Sequence, residues 1–127
     1  MIDRFNEDIC MKILFYIDDY QLLDWININK LNWSLLSLNN NAIELLARNK
    51  DKINWNYLSR NKNAVNLLKE NFQKINWHYL SLNISLDAIQ LLQENQDKIK
   101  WSNLSFNRNA YEIIKNNLDK IDVLFVL

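Results

Sequence analysis

Two side chains in the sequence could together perform nucleophilic catalysis, the thiol of Cys10 and the imidazole of His78. A histidine beside a cysteine can remove the thiol proton and produce the reactive thiolate. The two residues lie far apart in the sequence, so their pairing would depend on an accidental approach in the fold. We therefore expect His78 on the surface and Cys10 in the role of a small buried apolar residue.

The other reactive residue types form no catalytic or metal-binding motif. The acid pairs Glu7–Asp8 and Asp18–Asp19 are typical of helix termini and turns. No H-x-x-x-H or C-x-x-C spacing occurs, which argues against a metal site. A chain without glycine cannot form a glycine-rich phosphate loop. The sequence accordingly predicts a protein that is not an enzyme, with no catalytic residue, no metal and no cofactor.

The composition excludes further classes of function. The chain has 15 basic and 15 acidic side chains in 127 residues, and zero net charge argues against binding to nucleic acid or a membrane surface. One cysteine cannot form an internal disulfide, which favours the reducing interior of a cell. Residues 1–8 carry four charges and no apolar run, so no secretory signal is expected. We predict a soluble, cytoplasmic protein.

Internal repeats decide how the chain is organised. Tryptophans recur at steps of 22, 22 and 24 residues, and an alanine follows each of them at similar steps. Each unit reads W-x-x-L-S-x-N and then N-A-x-x-[LI]-[LI]-x-x-N-x-[DQ]-K-I, with Asp87 in place of the Asn before Ala in the third unit, which also has two extra residues between Ser81 and Ala88. The predicted structural core of the repeats consists of Trp33, Trp55, Trp77, Trp101, Ala42, Ala64, Ala88 and Ala110.

Each unit is expected to form two short helices. In the first helix, Trp and Leu at i and i+3 share one helical face. In the second helix, the apolar face consists of Ala and the Leu or Ile residues three and four positions after it. Expected N-caps of the first helices are Asn32, Asn54 and Asn76, and those of the second are Asn41, Asn63, Asp87 and Asn109. With no glycine available, Asn49, Asn71, Asn95 and Asn117 are expected to end the second helices in the left-handed conformation.

Helices this short must stack, because isolated helices below ~12–15 residues are marginal in water. We predict an all-α fold in which short helix-turn-helix repeats form a small α-solenoid with a helical cap at the N-terminus. The predicted parts are an N-terminal segment, 1–32, four tandem repeats, 33–121, and a truncated fifth unit, 122–127, as a C-terminal cap. The apolar side chains of this last part either fold back over the fourth repeat or mediate self-association.

The N-terminal segment resembles the F-box, whose pattern combines acidic-Ile, Ile-Leu, Leu-Asp and Leu-Leu pairs with a final Trp. Asn6 stands where that family has proline. The matching residues are Phe5, Asp8, Ile9, Ile13, Leu14, Ile17, Asp18, Leu22, Leu23, Ile28, Lys30 and Trp33. The resemblance implies docking on a host Skp-type adaptor of a cullin ubiquitin ligase through Phe5, Ile9, Ile13, Leu14 and Ile17. The alternative is a terminal cap that only covers the repeats.

The repeats, with their Trp, Leu-Ser, Asn-Ala and Asp-Lys-Ile signatures, resemble short tandem repeats in proteins of amoeba-infecting giant viruses. Frequent Asn, Ile and Lys are also typical of translation from an AT-rich genome. The resemblance implies an interaction protein that acts in the host-cell cytoplasm. Two functions therefore stay open, a binding module that links a target to the host ligase and a structural scaffold.

We expect binding residues at the positions where the units differ, because partner binding in a repeat array usually depends on variable side chains on a repeated backbone. The positions after each Trp and each Ser mix aromatic and hydrogen-bonding side chains, which is typical of protein interfaces. The candidates are Asn56, Tyr57, His78, Tyr79 and Phe106. Alternatively, Tyr and Leu at these positions fill the groove between units. The turn asparagines Asn39, Asn61, Asn83 and Asn107 predict backbone hydrogen bonding within each turn.

Overall fold

The computed structural model describes residues 27–121, and within that range all regular structure is helical, without a β-strand. Each repeat consists of a first helix that begins at Trp, a second helix and a closing 3-10 turn. The α-helices are α1 (Trp33–Leu38), α2 (Ile43–Arg48), α3 (Trp55–Arg60), α4 (Val65–Glu70), α5 (Trp77–Leu80), α6 (Leu86–Glu94), α7 (Trp101–Leu104) and α8 (Tyr111–Lys115). The 3-10 turns are η1 (Ile28–Lys30), η2 (Lys50–Lys52), η3 (Phe72–Lys74), η4 (Gln96–Lys98) and η5 (Leu118–Lys120).

Short helices gain stability here by packing on one another. The first helices contact their counterparts in the next repeat, α1 against α3 and α3 against α5. The core repeats in the same way, and apolar burial is its main source of stability. Its buried columns are Leu36, Leu58, Leu80 and Leu104, then Leu46, Leu68 and Leu92, then Ala42, Ala64, Ala88 and Ala110, and finally Ile53, Ile75, Ile99 and Ile121.

The predicted caps of the first helices are confirmed. The Oδ1 atoms of Asn32, Asn54 and Asn76 each accept a hydrogen bond from the main-chain N–H three residues later, at 3.1–3.2 Å. These bonds satisfy an amide that the helix itself leaves unpaired. In the fourth repeat Lys100 takes the position and makes no such bond.

The predicted caps of the second helices are wrong. In the first, second and fourth repeats the cap is the alanine, without a side-chain hydrogen bond, and in the third it is Ser85. In the first, second and fourth repeats the residue expected to cap belongs to the preceding turn instead. Its N–H donates to the Oδ1 of the Asn two positions earlier, as Asn41 N–H does to Asn39 Oδ1 at 2.9 Å. The two extra residues of the third repeat lengthen α6 at its start, which places Asp87 inside the helix.

The left-handed helix ends are also wrong, since no residue in 27–121 has a positive φ. Asn49, for example, has φ −132° and ψ 52°. Its side-chain amide donates to the carbonyl of Leu45, 2.9 Å away, so it satisfies a carbonyl of the last helical turn directly. The same bond is made by Asn71 to Leu67, Asn95 to Leu91 and Asn117 to Ile113.

Candidate interaction surface

A buried serine in each of the first three repeats fixes the start of the next repeat. The hydroxyl of Ser37 donates to the carbonyl of Trp33 at 2.7 Å and accepts the N–H of Asn54, from the following repeat, at 3.0 Å. Ser59 makes the same pair of bonds with Trp55 and Asn76, and Ser81 with Trp77 and Lys100. The recurring serine is therefore a clip between neighbouring units.

The turn asparagines form a continuous ladder through the repeats. We call Asn39, Asn61, Asn83 and Asn107 the asparagine ladder; all four are buried. Each Oδ1 accepts the main-chain N–H two residues later, which confirms the predicted bonding within each turn. In addition, the Nδ2 of Asn61, Asn83 and Asn107 donates to two carbonyls of the preceding repeat, at 2.8–3.1 Å.

The ladder ends at Asn39. Its Nδ2 atom is buried and has no hydrogen-bond partner among residues 27–121. An unpaired buried amide group lowers the free energy of unfolding. Asn39 therefore differs from Asn61, Asn83 and Asn107, whose side-chain amides are paired.

A further set of bonds holds the outer part of the turns. Asn63 Nδ2 donates to the carbonyl of Asn40 at 3.0 Å, and Asn109 Nδ2 to that of Ile84 at 2.7 Å. These bonds join each of the two turns to the turn of the preceding repeat, in addition to the bonds made by the asparagine ladder.

The side chains on either side of the ladder form a surface that we call the turn face. It comprises Leu38, Arg60, Leu82 and Phe106, which follow the serines, and Asn40, Lys62, Ile84 and Arg108, which follow the ladder asparagines. Six of these residues, from Leu38 to Ile84, line a groove of about 370 Å³ that crosses three repeats. Phe106 is 68% exposed. Side-chain type changes from repeat to repeat on this surface although the backbone bonding repeats.

The other predicted binding residues lie on the first helices. Tyr57 and Tyr79 are half-buried, and their rings meet edge to face with centroids 6.3 Å apart. Asn56 is exposed and its Oδ1 accepts from Asn76 Nδ2 at 2.8 Å. His78 is exposed, as expected. Of these four residues, the structure brings Tyr57 and Tyr79 into contact, which agrees with the alternative in which tyrosines fill the groove between units. Phe106 lies apart from them on the turn face.

The four repeat tryptophans, Trp33, Trp55, Trp77 and Trp101, are only partly buried, although they pack against the core. Lysine ammonium groups from the Asp-Lys-Ile signature lie over three of the rings, within the range of a cation–π interaction. The distances to the ring centroid are 6.0 Å for Lys52 over Trp33, 6.0 Å for Lys98 over Trp77 and 5.2 Å for Lys120 over Trp101. In these three repeats, the Lys near the end of the signature thus lies over the Trp at its start.

The zero net charge of the whole chain is the sum of a basic part and an acidic part, which the totals of charged residues do not distinguish. Residues 27–121 carry 13 basic and eight acidic side chains, a net charge of +5, whereas residues 1–26 carry two basic and six acidic ones, a net charge of −4. Counting charge by segment would have revealed it. The repeat array is basic and the segment before it is acidic.

Several predicted residues lie outside the described range. Cys10 and the predicted adaptor-binding residues Phe5, Ile9, Ile13, Leu14 and Ile17 precede it, and the predicted C-terminal cap, 122–127, follows it. Inside the range, no three His, Cys, Asp or Glu side chains are grouped as metal ligands would be. Nor does 27–121 contain a helix with the length and apolarity to cross a membrane. Comparisons of the chain with protein-family models, curated proteins and solved structures gave no match.

Proposed function

We propose that the chain is a non-enzymatic protein-interaction module, in which a small α-solenoid of four repeats presents its turn face to a protein partner. The observation that carries this proposal is the contrast between backbone and side chains at the turns. The serine clips and the asparagine ladder repeat, whereas one equivalent position holds three residue types, as Leu38, Arg60, Leu82 and Phe106.

A turn surface held in this way is suited to binding. The hydrogen bonds between turns fix the backbone before a partner arrives, so little conformational entropy is lost on association. Exposed apolar and charged side chains on a fixed backbone are what a protein interface requires at its centre and rim.

Site-specific photo-cross-linking tests the proposal. Phe106 is replaced by photoreactive benzoylphenylalanine, an exchange of one exposed aromatic ring for another, and Phe72, 37% exposed in η3, receives the same replacement as the control because it follows the end of α4 opposite the turn. In a lysate of the host cell we expect a cross-linked protein from position 106 that excess unlabelled chain removes and that position 72 does not give. Cross-linking at neither position, or equally at both, rejects the turn face as the binding surface.

The proposal includes an F-box-like link to a host cullin ubiquitin ligase, supported by the sequence pattern of residues 5–33. Calorimetric titration of the full chain with a Skp-type adaptor tests it. Binding should be abolished by Ile9→Asp combined with Leu14→Asp, and retained by Leu86→Asp, which changes a leucine 78% exposed on α6. Absence of binding by the unaltered chain at tens of micromolar removes the ligase link and leaves the segment as a cap.

A structural scaffold is the second candidate function, and the surface after α7 favours it. Tyr111 is 65% exposed although its counterpart Val65 in the second repeat is only 2% exposed. Together with Ile114 and Leu118 it lines an open groove of about 370 Å³. Copies of the chain that join through this surface would cross-link to one another from benzoylphenylalanine at position 111, and sedimentation would then show mass rising with concentration.

A further inference from the structure

The turn face carries charge of one sign. Arg60, Lys62 and Arg108 are exposed, and none of the eight turn-face positions is acidic. Elsewhere in residues 27–121 four basic side chains form ion pairs with acids, namely Arg48, Lys52, Lys98 and Lys115. No salt bridge within this range engages the three turn-face cations, so their charge is directed at solvent.

Apolar side chains lie between these cations. Leu38, Leu82 and Ile84 line the same groove as Arg60 and Lys62. The groove therefore combines an apolar lining with two cations from the second repeat. Arg108 stands at the position equivalent to Lys62 two repeats later, and it lines the separate groove that contains Tyr111.

We propose that this groove binds a peptide segment of a partner protein in which apolar side chains alternate with Asp or Glu. The apolar side chain would contact Leu38, Leu82 and Ile84, and the carboxylates would pair with Arg60 and Lys62. A guanidinium can bind a carboxylate through two parallel hydrogen bonds, which favours an acidic ligand. The inference rests on the proposed function and names the chemistry of its partner.

A protein ligand fits this surface better than nucleic acid does. Nucleic-acid affinity depends on many phosphate contacts, and the turn face offers three cations. Single-stranded nucleic acid also stacks its bases on aromatic rings, whereas none of the six side chains that line the groove is aromatic.

Fluorescence anisotropy with defined probes tests the inference on the full chain. The first probe is a labelled short peptide alternating Glu and Leu, the second replaces Glu with Gln, the third replaces Leu with Ser, and the fourth is oligo-dT. We expect the Glu–Leu peptide to bind most tightly. Arg60→Glu combined with Lys62→Glu should weaken it at least about tenfold, corresponding to the loss of two charge contacts.

The matched control is Lys69→Glu combined with Lys74→Glu, which makes the same change of net charge at exposed positions of the same repeat. This control should change the affinity less than about twofold, since simple attraction between net charges is screened by salt. Equal weakening by both double variants, or equal binding of the Gln–Leu peptide, overturns the proposal. So does tighter binding of oligo-dT.

Two further outcomes also decide. If the Glu–Leu peptide binds only after Asp18→Asn combined with Asp19→Asn, the groove is occupied by the acidic N-terminal segment of the chain itself, and the proposal is wrong. If Phe106 cross-links to a protein but no acidic peptide binds, the proposed function stands and only the peptide chemistry fails.

Discussion

Asn83 donates from Nδ2 to the main-chain carbonyl of Asn61, 3.0 Å away. Each of these residues occupies the same place in successive repeats, and Asn107 in turn donates to the carbonyl of Asn83 at 2.8 Å. A single side-chain type thus closes its own turn and joins it to the turn before. The ladder makes the stability of one repeat depend on its neighbour, as expected for repeat arrays.

Removal of a ladder amide should cost most inside the array. Asn83→Ala eliminates one bond within the turn and leaves the carbonyls of Ser59 and Asn61 without their side-chain donor. With about 1 kcal/mol for each lost hydrogen bond, we expect a loss of about 3 kcal/mol in the free energy of unfolding. Urea unfolding followed by tryptophan fluorescence measures it.

Asn39→Ala provides the matched comparison, because Asn39 has the bond within its turn, and its Nδ2 atom has no partner in the described part of the chain. Its removal should cost about 1 kcal/mol or less. Equal costs for the two substitutions would show that the bonds between repeats add nothing to stability.

The serine clip gives a second prediction. Ser59→Ala removes the hydroxyl that accepts the N–H of Asn76 at 2.9 Å and leaves that amide without this partner. We expect a loss of about 1–3 kcal/mol, the usual cost of an unsatisfied polar group. Ser102→Ala, at an exposed position of α7, should cost less than about 0.5 kcal/mol, as surface substitutions usually do. Thermal unfolding by circular dichroism would compare them.

The tryptophan column gives a third prediction. Trp77 packs edge to face on Phe72, with centroids 5.5 Å apart, and Lys98 covers its ring. Because the side chain is only partly buried, Trp77→Ala should cost about 3 kcal/mol, the lower end for truncation of a buried aromatic residue. Chemical denaturation at equilibrium measures the loss, and a value below about 1 kcal/mol would mean that Trp77 contributes little to packing.

Much of the helical structure could be predicted from the sequence because it depends on local patterns. The spacing of Trp, Leu and Ala defines the helical faces, and an Asn before a helix has one common use, which is why the caps Asn32, Asn54 and Asn76 are predicted correctly. The prediction for the closing asparagines is wrong because Asn can either adopt a left-handed conformation or hydrogen-bond the backbone, and spacing does not distinguish the two.

The candidate surface was harder to predict because it depends on contacts between repeats. The recurrence of Asn61 and Ser59 is evident in the sequence, but the direction of Asn61 Nδ2 towards the previous turn is set by the stacking of units. Likewise, Arg60 and Lys62 are separated in sequence from Leu38 and Ile84, and only the packing of three successive turns brings them into one groove.

Replacement of Asn83 by aspartate should make stability depend on pH. Asn83→Asp keeps the Oδ1 acceptor but directs a second oxygen at the carbonyls of Ser59 and Asn61, now bonded to Nδ2. Burial and these carbonyls disfavour the carboxylate, so the pKa of the introduced carboxyl group in the folded variant should lie above the unfolded value of about 3.9. The folded state then binds the proton more tightly, so the stability of the variant relative to the unaltered chain is greatest below that unfolded pKa.

The stability of this variant should be lost progressively as the pH rises from the unfolded towards the raised folded pKa. Urea unfolding of Asn83→Asp and of the unaltered chain at a series of pH values gives the difference in free energy. The control is Asn66→Asp, which introduces the same carboxyl group at an exposed position of α4 and should show no comparable loss. A difference for Asn83→Asp that stays constant with pH would mean that the ladder position is open to water, which contradicts the burial on which the ladder depends.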